Sequence, residues 1–462
     1  MNRPRRPRRT RAVPLLCALA LTSAAACSDG GGTGGTADPD AKVTITVGNL
    51  PPTDQKEKRK EFLTQVKSFQ KANPNIKVQP KETVWQQETF SAMLAGGTMP
   101  TTMEVPYTEP QSLIARGQVA DLSAEVKKIK TFRSIRGNLL KNAQNDEGRT
   151  FGIPVEAYSL GLIYNRELFE EAGLDPDRPP RTWDEVRTAA KTIGEKTDAA
   201  GYLQMTNDNT GGWMFSGMTY AFGGKVQVGR GKDKKAAVDG APAKKALQLL
   251  RKMRWQDQSM GGDVLLNQAG IQEKFAAGRV GMYMDGGDAY NPMFANLDLD
   301  PKTFGVTSLP QDGGEHGTLG GGAVAVARPD ASPEQRLAAL KWVEYRHFQK
   351  WLDKDRAVAE AKAAKADGLA VGGPKLPVVD SAQDATYQAW IAPYANAPRE
   401  QFKPYLSRVD KLPVLPEPAD KAQETYAALD TVVQAVLTRK DADVDALLGD
   451  AQSKIDQLLQ AG

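Results

Sequence analysis

The sequence predicts an α/β fold of two lobes, on three observations. Short apolar runs with strand-like alternation are followed repeatedly by runs of helical period, and strand–helix alternation of this kind builds parallel βαβ units in an open sheet. About 435 of the 462 residues remain once an N-terminal leader is set aside, more than one hydrophobic core normally supports. Composition agrees, since 40% hydrophobic and 25% charged residues are globular proportions.

The leader is residues 1–26. Arg3, Arg5, Arg6, Arg8, Arg9 and Arg11 form a basic head, Ala12 to Ala26 an apolar body, and Ser23-Ala24-Ala25-Ala26 a small-residue end, the pattern of an export signal. The body is too short to span a bilayer, which takes about 20 apolar residues, and no later stretch is long enough. Cys27 follows directly. This arrangement resembles the lipobox of bacterial lipoproteins, whose cysteine is acylated and becomes the first mature residue. Plain secretion, with Cys27 incidental, is the alternative. The paired arginines lack the rest of a twin-arginine signal. Of 60 Lys and Arg residues, six leave with the leader, and the remainder nearly balances the 56 Asp and Glu, so no basic surplus points to nucleic acid. Cys17 leaves as well, and Cys27 alone forms no internal disulfide. Residues 28–40, with Gly30-Gly31-Gly32 and Gly34-Gly35, read as a flexible tether. A phosphate-cradling loop would need a strand before it, and none is there.

The elements follow in order. Val43 to Val47 alternates as a first strand. Asp54 to Asn73 reads as a helix carrying Phe62, Leu63, Val66 and Phe69 on one face, and Asn73-Pro74 ends it. Ile76 to Val84 is strand-like, Gln86 to Ala95 helical and Thr102 to Val105 a short strand, with a helix from about Glu109. Thr182-Trp183-Asp184-Glu185 is a capping box opening a helix to about Ile193. Pro242 opens another, with Leu249, Leu250 and Met253 in its core stripe. Gly229 to Lys235 reads as a charged surface turn. Val280 to Met284, Thr303 to Leu309 and Ala323 to Ala327 are further strands, the last two around a glycine-rich turn. Ser332-Pro333-Glu334 caps a long helix, and residues 354–367 read as a solvated helix face. Ala382 to Leu459 looks wholly helical apart from a break near Pro413 to Pro418.

The stretch from Phe151-Gly152-Ile153-Pro154 through Tyr164-Asn165-Arg166-Glu167-Leu168-Phe169, continued by Ala172-Gly173-Leu174 and Thr182-Trp183, is distinctive. It resembles the crossover of the family-1 extracellular solute-binding proteins. Phe275 to Met282 resembles that family's second-lobe helix-to-strand segment, and Phe304-Gly305-Val306 through Gly320-Gly321-Gly322-Ala323 its return to the first lobe. The resemblance implies a type II two-lobe fold with a hinge and a ligand cleft between the lobes. The expected boundaries are 27–41 for the tether, 42–155 for the first part of lobe I, 156–302 for lobe II and 303–350 for the return to lobe I. Residues 351–462 are expected as helices, mainly on lobe II and the hinge.

Open sheets bind ligands beyond the carboxyl ends of their strands. Candidate loops are therefore Gly48-Asn49-Leu50, Pro106 to Glu109, Asp285 to Asp288 and Gly320 to Gly322. A sugar needs flat aromatic surface plus carboxylates and amides. By resemblance, Glu156 is a cleft glutamate, Tyr158 shares its strand face, and Tyr107, Thr108 and Glu109 stand at a first-lobe strand end. Thr210 and Trp213 stand in a second-lobe loop, Tyr426 on a late helix, and Asn49 after the first strand. Several have a structural alternative: Glu156 as a surface glutamate capping the crossover, Thr108 as a helix cap, and Tyr158, Trp213 and Tyr426 as core. Asp288 falls where the family often has a cleft tryptophan, which suggests a more polar ligand. An Asp285/Asp288 metal pair is the sharper alternative, with no histidine near it. Trp183, Trp255, Trp342 and Trp351 read as structural.

The resemblance implies a lipid-anchored, monomeric solute-binding protein. It would deliver a small solute, a mono- or oligosaccharide, to an ABC permease by hinge closure, without cofactor, metal or nucleic acid. Two readings compete with it. A glycoside hydrolase would use Glu156 and Asp288 as its carboxylate pair. A sensor or adhesin would bind without transport. The chain has only two histidines, His316 and His347, and lacks G-x-S-x-G and H-E-x-x-H.

Overall fold

In the computed structural model, the described residues are 37–229, 233–409 and 411–461. The leader and Cys27 lie outside them. The described strands are β1 (Val43–Val47), β2 (Ile76–Pro80), β3 (Thr102–Pro106), β4 (Gly152–Asn165), β5 (Gln227–Val228), β6 (Lys235–Ala236), β7 (Met282–Gly286), β8 (Phe304–Ser308), β9 (Thr318–Ala327) and β10 (Val414–Leu415). Their main sheet has the order β2-β1-β3-β9-β4-β7, with β8 also on β4 and β10 on β9. β5 and β6 form a separate ribbon flanking the charged turn.

The parallel expectation holds at one edge. β1 runs parallel to both β2 and β3. Ile45 and Val47 bury one strand face against Phe62, Val66 and Phe69 of the helix Lys56–Ala72, and Trp342 of the helix Pro333–Val343 closes the cluster. The Trp342 ring meets Phe62 at 5.6 Å and Phe69 at 5.4 Å. From β3 onward every pairing in the described path is antiparallel: β3 with β9, β9 with β4, and β4 with β7 and β8. The cause is the crossover. Two long strands pass between the lobes in opposite directions and must meet antiparallel.

β4 makes that passage with 14 residues, about 45 Å at about 3.3 Å per residue. Gly152 to Ser159 pairs with β9, and Gly161 to Asn165 lies between β7 and β8. The register slips between Pro154 and Glu156, a bulge at Val155. The glycine-rich segment expected as a turn is strand: β9 starts at Thr318, ahead of the expected Ala323. Glycine is required there. A Cβ on Gly322 would stand 2.0 Å from the Glu156 carbonyl oxygen, and its φ is +136°.

Two expected boundaries change. β8 pairs with the second-lobe half of β4, and Phe304 packs its ring on Phe275, Tyr290 and Phe402. The return to the first lobe therefore begins at β9 and not at residue 303. The C-terminal helices also divide. Ser381–Ile391 begins beside the first lobe, where Asp380 N donates to Ser134 O and Arg136 N to Val378 O. Lys354–Ala366 is not simply solvated, because Ala357 and Ala361 pack with Val371 and Ile391. Ala422–Thr438 and Val444–Gln460 pack on second-lobe helices, Thr210–Ala221 among them. β10 is a strand inside the supposed Pro-rich break, parallel to Thr318 and Leu319.

Candidate ligand cleft

The ends of β3 and β7 and the middle of β4 converge on a cavity of about 910 Å³. Its walls are Pro106 to Thr108, Glu156 to Tyr158, Gly321 to Ala323, Asp288, Lys375, and the loop Glu417 to Glu424 with Lys234. A second cavity of about 760 Å³ adjoins it through Glu156, Ala157, Asp288 and Lys375, and carries Lys350, Trp351 and Tyr387 on its far wall. Both lie in the size range of small-molecule sites.

The cavity's aromatic wall is fixed from several sides. The Tyr158 hydroxyl donates to Glu417 Oε1, and the Tyr426 hydroxyl donates to Glu417 Oε2 at 3.0 Å. Trp213 meets the Tyr158 ring edge-on at 6.1 Å. Gly321 leaves room for the Tyr158 ring, which a Cβ there would enter. Burial first, and the Glu417 carboxylate second, push both phenols well above their ordinary range. Both hydroxyls are thus held as donors to Glu417, and Tyr158 offers its ring to the cavity.

Charge in the cavity is largely paired. Lys375 Nζ lies 3.0 Å from Glu156, Lys234 Nζ 3.0 Å from Asp420, and Lys421 Nζ 3.3 Å from Glu424. Asp288 is exposed to the cavity, and its carboxylate has no hydrogen-bond or ion-pair partner among the described residues. Asp285 is different. It is buried, accepts from Gln268 and Gln272 amides at 2.9 Å each, and burial pushes its carboxyl up to about 6. Both oxygens are thus engaged by protein donors, the Gly286 N–H among them, as in a satisfied core acid. Among the described residues no group of three His, Cys, Asp or Glu side chains could hold a metal.

The remaining candidates separate. Thr108 lines the cavity, and Tyr107 reaches it at the β3 end. The Tyr107 side chain, however, is buried and donates to Leu139 O at 3.0 Å. Glu109 is buried, accepts from the Thr108 hydroxyl and is absent from the wall; burial raises its carboxyl. Asn49 takes φ +63°, and its Oδ1 accepts from Glu104 N at 2.9 Å, tying β1 to β3 outside the cavity. Thr210 and Trp213 lie in the first turn of a helix, not a loop. Asp430 caps that turn, accepting from Asn209 N at 2.8 Å and Gly212 N at 2.6 Å. The Thr210 hydroxyl is spent on Asn207 O. Trp213 backs Tyr158, and Tyr426 is buried helix core whose hydroxyl reaches Glu417. Trp351, expected as purely structural, walls the second cavity.

Glu417, Lys375 and the loop 418–424 escaped sequence reasoning. Their one signal in the sequence is Pro416-Glu417-Pro418, which fixes the backbone around a single acid but by itself marks only a break between helices.

Residues 49–345 match the family of bacterial extracellular solute-binding proteins. The chain belongs to that family. Among relatives of this binding protein, the diacetylchitobiose-binding protein DasA of Streptomyces coelicolor is 27% identical over 416 residues, covering 86% of this chain and 87% of DasA. Solved structures share the two-lobe fold. The cyclic α-maltosyl-1,6-maltose-binding protein of Arthrobacter globiformis has a TM-score of 0.64 at 23% identity, over 91% of this chain and 100% of that one. UspC of Mycobacterium tuberculosis has a TM-score of 0.66 at 17% identity, over 90% and 100%. UgpB of the same organism, in complex with glycerophosphocholine, has a TM-score of 0.60 at 18% identity, over 91% and 99%. The family is one of binding proteins that act outside the cytoplasm. Among the described residues no helix is long and apolar enough to cross a membrane.

Proposed function

We propose that this binding protein captures a saccharide between its lobes by hinge closure and hands it to an ABC import permease, tethered to the membrane through acylated Cys27. The observation that carries the saccharide reading is the fixed aromatic wall of Tyr158, set among carboxylates and backbone groups at the crossover. Sugars offer apolar C–H faces to rings and hydroxyls to carboxylates. The names of DasA and of the Arthrobacter protein point the same way. A phosphodiester, as in the UgpB complex, meets less support, because each lysine of the main cavity already has a carboxylate partner.

The crossover strands β4 and β9 serve as the hinge. Ligand touching both lobes favours the closed form by its differential contacts; moving the balance from 1:99 to 99:1 takes about 10⁴-fold preference. Glu156, one of the two acids a hydrolase would use, is ion-paired with Lys375, and the matched family is one of binding proteins; both favour a binder over a hydrolase. Several acyl chains on Cys27 would give stable anchoring where a single chain would not.

The test is a panel of mono- and oligosaccharides added to the purified protein, with melting temperature and product formation read together. A rise of several degrees with no product is the expected result. Release of sugar product would replace this reading with the hydrolase, and no shift with any saccharide would remove it. Incorporation of labelled fatty acid in the producing bacterium, abolished in Cys27→Ser, tests the anchor separately.

A further inference from the structure

The main cavity has more acid than base. Glu156, Asp288, Glu417, Asp420 and Glu424 face it against Lys234, Lys375 and Lys421. The three lysines are neutralised by Asp420, Glu156 and Glu424. Two carboxylates are left over. Glu417 is occupied by two phenol hydroxyls, which donate hydrogen bonds but bring no positive charge. Asp288 has neither a donor nor a cation among the described residues. On an open surface such an aspartate is solvated and asks for nothing. Here it stands where the two cavities meet, beside the crossover. An unneutralised carboxylate next to an aromatic wall is a cation-binding arrangement, combining Coulomb attraction with the ring's quadrupole.

We propose that the solute is an amine-bearing saccharide, whose ammonium is received by Asp288 with the Tyr158 ring beside it. This rests on the saccharide reading above and narrows it. Closing the lobes would strip water from Asp288, and the ligand's cation would replace that water. A neutral or phosphorylated sugar would leave the carboxylate desolvated and unpaired, which is costly.

The experiment is isothermal titration of the purified protein with the glucosamine disaccharide, its N-acetylated counterpart and glucose 6-phosphate, at a pH where the free amines are protonated. The expected result is about tenfold or greater preference for the free amine over the acetylated form, with the phosphate weakest. In Asp288→Asn that preference should shrink to about twofold, while Asp288→Glu should retain most of it. The ratio of the two affinities is insensitive to a general loss of binding competence. Equal or tighter binding of the acetylated sugar by the native protein overturns the proposal, as does an undiminished preference in Asp288→Asn. If neutral sugars bind without amine preference, only this inference falls. If no saccharide binds, the functional reading falls with it.

Discussion

The end of β3 and the middle of β4 offer similar chemistry, a tyrosine and a glutamate each, and the molecule uses them differently. At β3, Tyr107 is buried with its hydroxyl on Leu139 O, and Glu109 is buried against Thr108. At β4, Glu156 stays 60% exposed and Tyr158 walls the cavity. A strand end backed by its own lobe has backbone carbonyls and helix ends to satisfy, and its polar groups are consumed there. A strand in transit between lobes has no such backing, so its side chains remain free for a solute or for a partner from a distant segment. Glu417 is that partner for Tyr158.

The largest test of this contrast is the backbone of the crossover itself. Gly322→Ala places a methyl against the Glu156 carbonyl at a positive φ, and should cost about 3 kcal/mol or more of stability, read from the urea midpoint. A cost under about 1 kcal/mol would show that the two strands can part freely. Next, Tyr158→Ala should weaken saccharide binding about a hundredfold by titration, as loss of a central aromatic contact does. Tyr107→Phe should cost stability, about 1 kcal/mol, more than it costs affinity. If the two tyrosines behave alike, the contrast fails.

Asp285, at the end of β7, extends the comparison to a buried acid. Its carboxyl is raised to about 6 by burial, so between about pH 4 and 6 the folded protein holds a proton that the unfolded chain has lost. This group's contribution to stability is therefore present at low pH and is lost as pH rises through that window. The stability difference between native protein and Asp285→Asn should shift toward the variant by about 2 kcal/mol from pH 4 to 7, measured by denaturant titration at each pH. A flat difference would mean the carboxyl is not desolvated. Asn49→Ala, which removes the tie to Glu104 N at a positive φ, should match Tyr107→Phe in size: about 1 kcal/mol of stability, with saccharide affinity unchanged.

What could be read from residues alone follows from range. Local signals located the first strand, the capping box at Thr182 and the cap at Ser332, because each depends on neighbours a few positions away. The crossover segment was recognisable because it is long and patterned. The start of β9 was hidden, since Gly320-Gly321-Gly322 reads as a turn when the Glu156 carbonyl it must clear lies far off in sequence. The cleft was harder still. Tyr158 and Glu156 stood out on a strand, but Lys375 and Glu417 come from segments separated from them by more than two hundred positions. Thr210 looked like a loop residue because its helix is capped from Asp430, not from a neighbour.

β10 gives the waist of the molecule an extra cord. Val414 and Leu415 are lashed alongside Thr318 and Leu319, where β9 already runs beside β4. Two cords joining a pair of jaws can wind around each other, whereas a third tied flat against them resists winding and still bends. If β4 and β9 bend as the proposed hinge, this third pairing would hold the jaws to one arc and present the same two faces to each captured molecule.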